Sequence, residues 1–115
     1  MRNPVVHWEI AVKDLAKATK FYTQLFDWQV DSNNPLNYGL TKTGGLDGGL
    51  FPLPEGVPHY VTIYVQVEDI DASLGQAVEL GGRMIVPRMP IPGIGEFGIF
   101  ADPDGNLVGV FKPQG

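Results

Sequence analysis

The stretch "VVHWEIAVKDLAKATKFYTQLFDW", residues 5–28, begins by alternating apolar Val6, Trp8, Ile10 and Val12 with His7, Glu9 and Ala11. A period of two is that of a strand with one face on a core, and it places His7 and Glu9 on the same side. After Val12 the period lengthens: Leu15, Ala18, Phe21, Tyr22 and Leu25 recur at three- and four-residue spacing. Asp14 stands where such a helix needs an acceptor for its first free N–H groups. The segment therefore predicts a strand, a capped helix start and an amphipathic helix.

The same order returns in "YVTIYVQVEDIDASLGQAVELGGRMIV", residues 60–86, at an offset of 55. His7 then falls on Thr62, Glu9 on Tyr64, Val12 on Val67, Asp14 on Asp69, Leu15 on Ile70 and Leu25 on Leu80. Here Val61, Ile63, Val65 and Val67 are expected on the core side, against Thr62, Tyr64 and Gln66. Strand-like segments broken by turns follow each helix, in residues 28–54 and 83–113, so each half reads βαβββ and the fold class is α+β. The closing strands match at an offset of 60, "GGLFP" with "VGVFK", aligning Gly49 with Gly109 and Phe51 with Phe111. The second half thus carries about five extra residues, expected in a proline-rich loop "PRMPIPGIG". The connector "PLPEGVPHY" is too short and stiff to separate independent domains. One domain spanning 1–115 is expected, made of two modules at about 1–54 and 58–115.

The bulk composition narrows the partners. With 115 residues and 43% hydrophobic content, the chain is long enough to bury one core. A net charge of −5 without clustered Lys or Arg lacks the footprint of a nucleic-acid binder. The absence of cysteine excludes disulfides, thiolate metal sites and cysteine nucleophiles. No stretch approaches the roughly 18 apolar residues of a membrane span, and the start "MRNPVVHWEI" lacks a signal-peptide core. A cytoplasmic protein without a nucleic-acid or membrane partner is the expectation.

The two βαβββ halves, the pattern through Asp14, Phe21 and Tyr22, and "FADPDGNLVGVF" near the end resemble the glyoxalase/bleomycin resistance/dioxygenase family, the vicinal oxygen chelate superfamily. The resemblance spans nearly the whole chain. It implies two modules forming a cupped mixed sheet around a ligand cavity, with the helices outside, and it implies a homodimer, with modules paired within or between chains. In metal-dependent members it also implies ligands on the first and last strand of each module around one divalent ion. His7, seven residues before Asp14, sits at the first such position; Thr62, Gly49 and Gly109 occupy the other three. A neutral hydroxyl is a poor ligand and glycine offers none, whereas a divalent site ordinarily takes three or more protein donors. No cofactor is therefore expected, the alternative being one divalent ion held in part by His7.

The resemblance places His7, Glu9, Thr62, Tyr64 and Gln66 along the cavity. Gly49 and Gly109 leave room for an organic molecule where metal-dependent relatives carry ligands, and Phe51 and Phe111 are further lining candidates. Polar groups converging on a concave site suit small-ligand recognition. His7 and Glu9 are the candidates for acid–base work, since a carboxylate beside an imidazole raises its basicity and orients the ring; a hydrogen-bonded pocket histidine is the alternative. Tyr64 could donate to a ligand oxygen, but a tyrosine on a strand is more often packing with a wet hydroxyl. His59 reads as a solvated loop residue, Trp8 as helix-facing core. "GIGEFG", residues 93–98, satisfies G-x-G-x-x-G but lacks the strand before and helix after that a dinucleotide site requires. "DPDGN" reads as a hairpin turn and not a calcium loop.

The functional expectation is a metal-independent small-molecule-binding protein, comparable to the drug-sequestering branch of the family. The alternatives are a glyoxalase- or dioxygenase-type lyase or isomerase using one divalent ion, and a dimeric interaction module with a vestigial cavity.

Overall fold

A computed structural model describes residues 2–115. The elements run β1 (Val5–Val12), α1 (Leu15–Phe26), β2 (Gln29–Asp31), β3 (Gly39–Lys42), β4 (Gly48–Pro52), β5 (Val61–Gln66), α2 (Ile70–Glu79), β6 (Arg83–Ile91), β7 (Gly95–Ala101) and β8 (Leu107–Pro113). The order is βαβββ twice, an α+β fold with parallel and antiparallel pairing in each half. Two compact units result: His7–Val61, and the described residues before His7 together with Thr62–Gly115.

In the unit His7–Val61 the strand order is β2-β3-β4-β1. β1 and β4 run parallel with Glu9 opposite Gly49, while β4 meets β3, and β3 meets β2, antiparallel. Asp14 is extended at φ −128°, and its carboxylate accepts from the Lys17 N–H at 3.0 Å, the cap its position predicts. The helix ends where Asp27 turns left-handed at φ 59° and donates its N–H to Thr23. Tyr22 of α1 stacks on Trp28 at 5.5 Å, Phe26 meets Trp28 at a tilt at 5.0 Å, and Trp28 meets Trp8 at 5.2 Å. Gly48 makes this possible, because a methyl there would overlap the indole of Trp8. Trp8 is half-buried, and its indole N–H donates to the Leu46 carbonyl at 2.8 Å.

In the other unit the strand order is β5-β8-β7-β6, with β5 parallel to β8 and Tyr64 opposite Gly109. Asp69 caps α2 through the Ala72 N–H at 3.0 Å. The buried cluster is Val67, Ile70, Leu74 and Val110, with Val65 and Phe100 packed against it. Burying each large aliphatic side chain contributes about 1.5–3 kcal/mol, so this cluster anchors α2.

Two sequence expectations change here. Val61 and Ile63 are not core: they are 73% and 42% exposed, whereas Thr62 and Tyr64 between them are buried. The cluster against α2 takes in only Val65 and Val67 of the alternating apolar set. The segment "PRMPIPGIG" is mostly strand and not loop. It completes β6, pairs with β7 through Ile91 opposite Gly95, and turns over residues 92–94. Prolines are tolerated there because β6 is an edge strand whose ladder shifts register twice, between Met84 and Val86 and between Val86 and Met89.

"DPDGN" is a turn, as expected. Asp102 accepts from the N–H groups of Asp104 and Asn106 at 2.9 Å each and from the Asn106 amide at 3.0 Å, and Gly105 sits at φ 90°. The Asn106 side-chain bond, first among these contacts, holds the Asp102 carboxyl below its ordinary range.

Candidate functional site

Alternation along β1 and its register on β4 put His7, Glu9, Gly49 and Phe51 on one face of the His7–Val61 unit. Tyr38, immediately before β3, lays its ring over Gly49; a methyl on Gly49 would overlap that ring. From this seat the Tyr38 hydroxyl donates to Glu9 Oε1 at 2.9 Å. Tyr60, immediately before β5, donates to Glu9 Oε2 at 2.6 Å. His7 Nε2 lies 2.8 Å from the Tyr38 hydroxyl. With the phenol proton directed at Glu9, the Tyr38 oxygen accepts from His7, so His7 carries its proton on Nε2.

The result is a continuous polar chain, His7–Tyr38–Glu9–Tyr60, centred on a carboxylate that is only 6% exposed. Tyrosine donors on both oxygens compensate much of the desolvation Glu9 suffers. Burial pushes the His7 imidazole below its ordinary 6.5, against the opposing pull of the Glu9 and Asp47 charges, so the ring is neutral near pH 7. Tyr60 moves the other way: burial first, then its bond to Glu9 and the Glu9 charge, raise its pKa and keep the phenol protonated. The cluster thus offers neutral donors and acceptors arranged around one anionic centre.

The positions singled out in the sequence divide between the two units. His7, Glu9, Gly49 and Phe51 share the face just described, with the Phe51 ring 6.3 Å from that of Tyr38. In the other unit Thr62, 4% exposed, donates its hydroxyl to the Leu107 carbonyl at 2.6 Å. Tyr64 is buried, lies over Gly109 so that a methyl there would overlap its ring, and meets Phe97 edge-on at 6.5 Å. Gln66 and Phe111 are half-buried and opposite one another on β5 and β8.

The expectation that Gly49 and Gly109 leave open room is corrected, because in each unit a tyrosine ring fills the space. His59 is exposed as expected, yet its Nδ1 contacts the Ala11 carbonyl at 3.2 Å. Tyr38 and Tyr60 were not found by the sequence reading. A signal for Tyr38 was present: glycine inside a strand marks the close approach of another group, and Gly49 needed an occupant.

The donor set at the four positions marked by the resemblance is an imidazole, a hydroxyl engaged with Leu107, and two glycines. Those side chains do not fit a divalent site of the family's kind, and no group of three or more His, Cys, Asp or Glu gathers among the described residues. Among the described residues no helix is long and apolar enough to cross a membrane.

Comparison with known proteins agrees with this architecture. The Mycobacterium bovis protein CFP32, named as a candidate glyoxylase, is 31% identical over 96% of this chain and 46% of its own length. The anthracycline biosynthesis protein DnrV of Streptomyces peucetius is 26% identical over 91% of this chain and 45% of its own length. The chain therefore spans about half the length of these curated relatives. A solved structure, hypothetical protein BH1468 from Bacillus halodurans, shares the fold with a TM-score of 0.76 at 18% identity, covering 100% of this chain and 97% of that one. A profile of the Glyoxalase/Bleomycin resistance protein/Dioxygenase superfamily matches residues 5–110. On the repeat, the fold and this match, the chain belongs to the Glyoxalase/Bleomycin resistance protein/Dioxygenase superfamily.

Proposed function

We propose that the protein binds a small organic molecule without a metal ion, on the face carrying His7, Glu9, Tyr38, Phe51 and Tyr60. The observation that carries this reading is the occupancy of Glu9, whose two oxygens each accept a tyrosine hydroxyl. A carboxylate held in that way serves as the organising centre of a hydrogen-bonding wall. Around it, His7 and the two phenols supply orienting polar groups, and the rings of Tyr38 and Phe51 supply apolar surface. In the second unit, Thr62 donates to the Leu107 carbonyl and Tyr64 packs over Gly109.

The relative named for anthracycline biosynthesis makes an anthracycline the first probe, with simpler phenols and quinones as comparators. Thermal shift is measured in the presence of a chelator. A probe at about a hundred times its dissociation constant stabilises the fold by roughly 2.7 kcal/mol. The gain is expected with chelator present and absent for Tyr60→Phe. A gain that appears only when a divalent ion is added would overturn the metal-independent reading.

We also propose a homodimer as the working assembly. Phe21, Leu25, Phe26 and Val61 are all more than half exposed, an apolar surface that a partner copy would cover. Light scattering at micromolar concentration tests this, and a monomer mass would contradict it.

A further inference from the structure

We infer that Asn34 is the positioning residue of the His7–Tyr38–Glu9 chain, acting through the backbone of Tyr38. The inference deepens the proposed site, but its evidence and its test need no ligand.

Asn34 grips Tyr38 with both ends of its side-chain amide. Its Oδ1 accepts from the Tyr38 N–H at 3.0 Å, and its Nδ2 donates to the Tyr38 carbonyl at 2.7 Å. The chemistry fixes the amide orientation, because a backbone N–H can only donate and a carbonyl can only accept. A neighbouring strand would supply the same pair of bonds to a residue in a ladder, and Tyr38 lies just outside β3. The intervening loop is shaped for the grip. The Asn37 N–H donates to the Asn34 carbonyl at 3.0 Å, and Asn37 takes the left-handed conformation, φ 51°, which asparagine tolerates better than most residues.

Tyr38 is a residue whose placement matters. Its hydroxyl must reach Glu9 and His7 together, at 2.9 and 2.8 Å, while its ring fits over a glycine that leaves no space for a methyl. A phenol on an unrestrained loop would pay rotamer and backbone entropy to hold that pose. The Asn34 amide fixes the backbone from which the ring projects. Neither aspartate nor alanine reproduces both bonds, since aspartate lacks the donor and alanine lacks both groups.

The test is made on the ligand-free protein at one fixed, neutral pH by nitrogen-15 NMR of the imidazoles. His7 and His59 are the two histidines, so His59→Gln assigns the signals. The unsubstituted protein is expected to show a hydrogen-bonded, slowly exchanging His7 Nε2–H, and the Asn34 amide proton donated to the Tyr38 carbonyl is expected to be protected from exchange. In Asn34→Ala the Nε2–H signature is expected to be lost, as in Tyr38→Phe, and Asn34→Asp is expected to fall between. A folded Asn34→Ala or Asn34→Asp that keeps the unsubstituted signature, while Tyr38→Phe loses it, overturns the inference. Should both Asn34 variants fail to fold, free exchange of the Asn34 amide protons in the unsubstituted protein overturns it on its own. Failure to find a ligand bears on the proposed function and leaves these signatures untouched.

Discussion

Tyr60 donates to Glu9 across 2.6 Å, joining the residue that precedes β5 to the middle of β1. Removing that hydroxyl leaves a buried carboxylate oxygen short of a donor, which costs about 1–3 kcal/mol. Tyr60→Phe is therefore expected to lower the unfolding free energy by that amount with little change in secondary structure. Urea denaturation followed by circular dichroism checks it, and an unchanged midpoint would show that the bond does not form in solution.

The same contact has a signature in alkali. The folded pKa of Tyr60 is raised above the unfolded value of 10.0, so near and above pH 10 the unfolded chain releases a proton that the folded chain keeps. That contribution to stability is complete below pH 10 and lost as pH rises beyond it. Ultraviolet titration of the phenols should show a late-ionising step, and Tyr60→Phe should diminish it. Deletion of an early step instead would contradict the assignment.

His7 gives the complementary prediction in acid. Its folded pKa lies below 6.5, so as pH falls below 6.5 the unfolded state binds the proton first and stability declines until the folded pKa is reached. The decline should be shallower in His7→Gln, compared as the difference between two urea-melt series from about pH 7.5 to about pH 5. Identical slopes would mean that His7 is not held neutral by burial.

Gly49 and Gly75 separate two meanings of glycine. A methyl at Gly49 collides with the Tyr38 ring, so Gly49→Ala is expected to cost about 1–3 kcal/mol by overpacking and to unseat Tyr38. Gly75 lies within α2 with nothing near its would-be methyl. Gly75→Ala is expected to add roughly 0.5–1 kcal/mol through helix propensity and a less flexible unfolded chain. Thermal melts of both variants check the pair, and equal effects would sink the argument.

The repeat was legible because it is local: Asp14 and Asp69 cap helices through contacts three residues away, and the change from period two to 3.6 marks where each helix begins. That sufficed for the element order, the α+β class and the shared face of His7 and Glu9. Two things escaped. The burial of Thr62 and Tyr64 in place of Val61 and Ile63 depends on what the fold lays over each face of β5, and a strand's own alternation does not encode that. The partners of Glu9 escaped for a related reason. Tyr38 and Tyr60 lie 29 and 51 residues away in the chain, outside the regular strands, and only the folded loops bring their hydroxyls to one carboxylate. Gly49 and Gly109 are seats for the rings of Tyr38 and Tyr64, because a glycine inside a strand admits the close approach of a neighbouring group.

The proposed site is organised around a tyrosine-bonded carboxylate in place of a metal ion. Elemental analysis of protein purified without chelator, before and after dialysis against nickel, zinc, iron and manganese in turn, tests it most directly. Substoichiometric metal is expected under every condition, with no change on His7→Ala. One equivalent of a divalent ion, retained through dialysis and lost on His7→Ala, would contradict it.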